Sequence, residues 1–243
     1  MGTIIPGRII GADADGITVY ANFTNFEYLM DKEVCNCEVI LRDGRQLSPS
    51  QRNKIFALVQ DITKHISGGQ KSEEFYETLT SMQLLYVIDL EDREEIRKRL
   101  TYNYCQLRGI DLFSLKERSP DTIDMTTAGD FIDWLVELCI IHGIQCSDSL
   151  IERCEDQQRY LYACVMQKVC CICGQPADIH EYDTVGMGRE RRTIHHEGQR
   201  VQPLCRRHHI EVGQIGQNAF DRKYHVSWVR LDARACEQLK WKK

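Results

Sequence analysis

The chain has 243 residues, 42% of them apolar and 28% charged, with a formal net charge of −5. That length holds one large domain or two modest ones, and the balance of apolar and charged residues is that of a soluble globular protein. The greasiest run, 131–144, is too short to span a bilayer and is interrupted by Asp133 and Glu137. No secretory signal opens the chain, so its twelve cysteines read as reduced thiols in a cytoplasm rather than as a disulfide scaffold.

Strand patterns come first. Gly7-Arg8-Ile9-Ile10-Gly11 and Gly16-Ile17-Thr18-Val19-Tyr20 flank the turn-rich Ala12-Asp13-Ala14-Asp15, and Cys37-Glu38-Val39-Ile40-Leu41 reads as a third strand ended by Asp43-Gly44. A small antiparallel sheet is expected here. Helices follow. Ser48-Pro49-Ser50 caps one that carries Ile55, Phe56, Leu58, Val59 and Ile62 and ends at Ser67-Gly68-Gly69. A second is predicted from Glu73 to about Tyr86, and a third from Asp89 through Tyr104. After a charged loop containing Pro120, Thr126 or Thr127 is expected to cap a helix with Phe131, Ile132, Trp134, Leu135, Leu138 and Cys139 along one side, stopped by Gly143. A last helix, from Asp148 to about Gln167, leads into the next segment. The expected divisions are 1–45, β-rich; 46–167, helical; and 168–243, a module of its own.

That module holds Cys170 and Cys173 in Cys-Cys-Ile-Cys-Gly, then Cys205 and His208 in Leu-Cys-Arg-Arg-His-His. Three thiolates and an imidazole at this spacing close a tetrahedron around one structural Zn2+. Cys171 is of the right type, but its spacing to Cys173 is wrong for a knuckle. His180, His195, His196 and His209 are left over, beside the basic loop residues Arg189, Arg191 and Arg192 and the pair Arg206-Arg207. Residues 168–243 carry 14 Lys and Arg against 9 Asp and Glu, whereas the first 167 residues carry 17 against 27. A basic end on an acidic remainder points to a polyanion, with Arg191, Arg192, Arg206 and Arg207 placed to hold backbone phosphates. Phosphodiester hydrolysis needs a base for water and a positive charge on the phosphate side. Spare imidazoles suit both tasks, as base or as ligands of Mg2+ or another divalent ion.

At these residues the chain resembles the HNH, or ββα-metal, endonucleases, in particular a phage-encoded family of HNH nucleases. The resemblance implies a hairpin packed on a helix, with His180 on the first strand and His209 on the helix holding a catalytic ion. It assigns Cys170, Cys173, Cys205 and His208 to structural zinc. Three positions depart from the pattern. Glu181 stands at the general base, Gly213 at the second helix ligand, and Arg200 at the central Asn. Glu181 is then a substitute base or a third ligand, unless His195 or His196 supplies the base from across the loop.

A second resemblance lies upstream. Gln46-Leu47-Ser48-Pro49-Ser50-Gln51-Arg52-Asn53 and Asp124-Met125-Thr126-Thr127-Ala128-Gly129-Asp130-Phe131-Ile132 are similar to the phage recombination mediator family Orf or NinB. It implies DNA metabolism beside a single-strand-binding protein or a recombinase; the acidic charge of this part of the chain points to a protein partner or a second copy in a homo-oligomer rather than to a broad DNA-binding face. The expected fold class is therefore α+β, a small N-terminal sheet with helices followed by a zinc-bound HNH module. The expected activity is DNA cleavage in phage recombination or replication. The competing reading is a non-catalytic DNA-binding mediator whose HNH module is degenerate.

Overall fold

The computed structural model describes residues 7–13, 16–21, 45–69, 73–84, 87, 89–116, 119, 121–182 and 195–241. The third strand expected at 37–41, and Arg189, Arg191 and Arg192, lie outside these residues. The described residues mix helices with two small sheets. None of the described helices is long and apolar enough to cross a membrane.

β1 (Gly7–Asp13) and β2 (Gly16–Ala21) form an antiparallel hairpin with Ile9 opposite Val19. α1 (Pro49–Gly68) starts at a reciprocal capping box in which Ser48 and Gln51 each accept from the other's backbone amide. α2 (Glu73–Ser81) is shorter than the run to Tyr86 predicts. The chain turns at Met82 and Gln83, where the Asn103 amide donates to Met82 O and Leu84 N closes back on Leu79 O. α3 (Arg93–Arg108) starts later than Asp89, because Asp92 is the residue whose carboxylate accepts the amides of Glu94 and Glu95.

α4 (Met125–Ile141) is the central helix of this region, packed against α1 on one side and α6 on the other. Its cap is Asp124 rather than a threonine: the Asp124 carboxylate accepts Thr126 N and Thr127 N at 3.0 Å, and Thr127 turns its hydroxyl onto the same group. Phe131, Ile132 and Leu135 are fully buried with Ile55, Leu58 and Ile62 of α1. Each such side chain contributes about 1.5–3 kcal/mol when removed from water. The single helix expected from Asp148 to Gln167 is broken into α5 (Leu150–Arg153) and α6 (Gln157–Gln167). Buried Asp133 takes the amides of Glu155 and Asp156, which diverts them from helical bonding, and Asp156 then caps α6.

α6 continues directly into the C-terminal segment. There β3 (Asp178–Glu181), β4 (Arg200–Leu204) and β5 (Val229–Arg230) make a three-stranded antiparallel sheet, order β3-β4-β5. α7 (Arg206–Ile215), α8 (Gln217–Tyr224) and α9 (Ala233–Leu239) complete it. α6 packs on β4, β5 and α9. Tyr160 donates to Cys171 O at 2.7 Å, and Gln158 donates to Trp228 O. One helix thus serves both regions without a flexible linker.

Candidate functional site

The segment after α6 forms a tight knuckle. Cys170 N donates to Gln175 O, and Gly174 N donates to Cys170 O. Gly174 sits at φ +67°, a left-handed conformation that L side chains adopt rarely. The knuckle aims Cys170 and Cys173 at the start of α7, where Cys205 is the N-cap residue and His208 lies in the first turn. The four ligand atoms lie within 4.8 Å of one another. Cys173 Sγ is 3.7 Å from Cys205 Sγ, and His208 Nδ1 is 3.3 Å from Cys170 Sγ, 3.3 Å from Cys205 Sγ and 3.6 Å from Cys173 Sγ. Zn–S and Zn–N bonds of about 2.3 and 2.0 Å give tetrahedral edges of about 3.8 and 3.5 Å. The observed spacings fit such an ion, so this Cys3His cluster can bind a metal such as zinc.

Burial and neighbouring groups shift the protonation of these ligands in different directions. Burial pushes the Cys170 thiol up to about 12, a cost that metal binding reverses by holding the thiolate. Burial also acts to raise the Cys205 thiol, but the amides of His208 and Arg207, with the neighbouring thiols, outweigh it and hold the group below the ordinary thiol range. Burial and the Arg207 charge keep His208 below the usual imidazole value, which favours the neutral ligand form. Cys171 is fully buried, its amide donating to Pro203 O. It does not belong to the Cys3His group.

A second group includes His209, the residue that follows the ligand His208 on α7. In the β3–β4 register His180 pairs with Gln202 and Glu181 with Val201. His180 Nδ1 stands 3.1 Å from His209 Nε2, with the rings edge to face at a centroid distance of 4.8 Å. Two nitrogens at that separation match adjacent corners around one ion with bonds of about 2.1 Å. His180 Nε2 is 3.0 Å from Gln217 Oε1, and burial holds the His180 ring below the ordinary imidazole value.

Successive strand residues alternate faces, so Glu181 leaves the face that carries His180, and its side chain is exposed. Gly213, four residues after His209, offers no donor, and a Cβ built there meets nothing within 4 Å. Among the described residues, Cys170, Cys173, Cys205 and His208 are the only group of three or more His, Cys, Asp or Glu side chains gathered closely enough to share an ion. His196 is engaged elsewhere, bonded to Gln199 and 4.6 Å from the Trp241 ring. Arg206 and Arg207 are exposed at the start of α7, with Arg207 Nη2 3.1 Å from His208 Nε2. Arg200, where the pattern has Asn, lies over both the Tyr182 and Trp228 rings, at 5.0 and 5.2 Å.

A family model described as "Putative HNHc nuclease" matches residues 23–242. The chain belongs to this family. The match spans the helical region as well as the cysteine module, and nucleic acid is the substrate that a nuclease family implies. Comparisons with curated proteins and with solved structures returned no match.

Three residues behind this histidine pair escape a reading of the sequence. Gln217 bonds His180 and is itself held by Gln202 and Asp221, yet glutamines in strands and at helix starts carry no motif signal. Gln217 reaches the site because Gly216, at φ +79°, breaks α7 from α8 and turns the chain back.

Proposed function

We propose that this HNH-family chain is a metal-dependent endonuclease that hydrolyses phosphodiester bonds in DNA. The observation that carries the reading is the convergence of His180 Nδ1 and His209 Nε2 at 3.1 Å, beside the Cys3His cluster. His180 and His209 hold the ion in this reading. A bound Mg2+ or similar ion would offset the negative charge that develops on the phosphate and the leaving oxygen. Glu181 follows His180 on β3 with its exposed carboxylate on the opposite face, so a role as base or third ligand requires that side chain to swing round the strand end onto the pair. Exposed Arg206 and Arg207, with Arg191 and Arg192 of the basic loop, contact backbone phosphates, which sets affinity and salt dependence without reading sequence. The finer setting is phage recombination or replication in a host cytoplasm, beside a single-strand-binding protein or a recombinase. It rests on the upstream resemblance to the Orf or NinB mediators.

The test is incubation of the protein with branched, single-stranded and duplex DNA in Mg2+, Mn2+ or Ni2+. Cleavage is expected, and His180→Ala abolishes it. Gly213→His restores a helix donor one turn after His209, in space that is open to a side chain. It is expected to tighten ion binding about tenfold or more, equivalent to ~1.4 kcal/mol. Cleavage that survives His180→Ala overturns the proposal. A second reading, a DNA-binding protein that does not cut, is favoured by the donor missing at Gly213. It predicts salt-sensitive binding, lost in Cys170→Ser, with no cutting under any ion.

A further inference from the structure

The proton positions around His180 follow from a backbone carbonyl two side chains away. Ser227 O can only accept, and Gln202 Nε2 lies 2.6 Å from it and 2.9 Å from Asp221 Oδ1. Both neighbours are acceptors, so the Gln202 amide nitrogen must face them. A flipped amide would set oxygen against oxygen in a residue that is 0% exposed. Gln202 Oε1 is thereby turned toward Gln217, whose Nε2 lies 2.8 Å from it and 2.9 Å from Asp221 Oδ1. These two contacts fix the Gln217 amide in the same way. All four N–H bonds of the two amides are then spent on acceptors. Asp221 Oδ2 takes a further bond from the Tyr182 hydroxyl at 2.8 Å, which anchors the carboxylate.

Gln217 Oε1 is left facing His180 Nε2 at 3.0 Å. A carbonyl oxygen accepts only, so His180 must carry its proton on Nε2. Its Nδ1 therefore presents a lone pair, 3.1 Å from His209 Nε2. We propose that Gln217, held by Gln202 and Asp221, is a positioning residue that fixes His180 as its Nε2–H tautomer and so aims the Nδ1 lone pair at a divalent ion shared with His209.

The tautomer stands on the hydrogen bonds alone, whereas its use by an ion rests on the nuclease reading above. Without an ion, His209 donates its Nε2 proton to His180 Nδ1. An ion held by both nitrogens would require His209 to carry that proton on Nδ1 instead, with no net change in protonation. A histidine ligand whose second nitrogen is held by an outer partner has its ring orientation and proton placement set in advance. Here the outer partner is an amide, itself held by a buried amide and a carboxylate. This arrangement matters more than usual in a site where Gly213 contributes no donor.

The experiment uses the full chain, zinc-loaded and 15N-labelled, with long-range proton–nitrogen correlations recorded on the imidazoles. The His180 signals are identified by their loss in His180→Ala. The wild type is expected to show one His180 tautomer, protonated at Nε2 and bare at Nδ1. Gln217→Ala is expected to bring in the second tautomer and to weaken Mn2+ binding about 10- to 100-fold, with zinc content per chain unchanged. Gln217→Met, which fills the space without an acceptor oxygen, replaces it if the alanine variant fails to fold. A wild-type His180 protonated at Nδ1 overturns the inference. So do the absence of Mn2+ binding in the wild type and a variant that leaves both tautomer and Mn2+ affinity unchanged. If the tautomer and affinity behave as expected but no DNA is cut with any ion, the positioning role stands and the nuclease reading falls.

Discussion

Helices α1 to α6 completely bury Ile55, Leu58, Ile62, Leu100, Phe131, Ile132 and Leu135. The segment from Cys170 to Leu239 buries fewer large apolar side chains, chiefly Val201, Leu204, Phe220 and Leu231. In their place it has three thiols and an imidazole around one point, and a chain of amides and a carboxylate behind His180. One region is stable because water is excluded from its side chains. The other has a Cys3His cluster that can bind a metal and hydrogen bonds whose directions are fixed. A region built the first way tolerates changes of side chain that conserve volume. A region built the second way holds polar groups in defined orientations and is expected to be sensitive to the loss of a single partner.

The strongest way to break this contrast is to remove the ion. A chelator, or Cys205→Ser, is expected to unfold the segment after α6 while α1 to α4 keep their protection. Structural zinc in small modules supplies about 10–16 kcal/mol of apparent binding free energy, far more than so small a core can replace. Amide hydrogen exchange checks this region by region. The contrast fails if β3 to β5 stay protected in the stripped protein.

The reverse experiment targets the helical region. Asp61 and Arg153 form an ion pair at 2.8 Å with side chains only 6% and 4% exposed, and Ser147 also donates to the Asp61 carboxylate. Asp61→Ala leaves Arg153 buried with only its bonds to Ser147 and Asp148. It should cost about 3–5 kcal/mol by denaturant titration, with metal content unchanged. An equal loss of metal would mean that the two regions unfold as one unit.

How far these regions were legible in the sequence differs for the same physical reason. Ligand spacing is a chemical signal, so Cys170, Cys173, Cys205 and His208 are readable before any fold is known. The α1 cap is also readable, because the Ser48–Gln51 box is local. The break between α5 and α6 is not, since it depends on Asp133 reaching Glu155 and Asp156 from another helix. The cap of α4 falls two residues before Thr126, because the Asp124 carboxylate accepts the amides of Thr126 and Thr127 themselves. The shell behind His180 was invisible for a related reason. Gln202, Gln217 and Asp221 become meaningful only when β4 and α8 are brought together, and α8, α9 and β5 carry no ligand motif that marks them.

The smallest expected effect lies at the joint between the regions, where Asp130 of α4 bonds Arg159 of α6. The Arg159 contact is 2.5 Å, Arg108 bonds the same carboxylate at 2.8 and 2.9 Å, and the Tyr104 hydroxyl donates to it at 2.6 Å. Burial acts to raise the Asp130 carboxyl, but Tyr104, Arg108 and Arg159 together outweigh it and hold the group below the ordinary carboxylate range. A carboxyl lowered on folding gives its full stabilisation above the unfolded value, about 3.9. It loses that contribution as pH falls through the folded value. Stability should therefore decline below about pH 4, in part through this group. Asp130→Asn removes that part of the acid limb and costs about 1–2 kcal/mol at neutral pH, a modest figure because the group is partly exposed. Denaturant midpoints for both proteins from neutral to acid pH test this. Parallel curves would show that Asp130 does not set the acid limit. Curves that converge at low pH would place part of the acid sensitivity where α4 meets α6, the helix on which the C-terminal sheet rests.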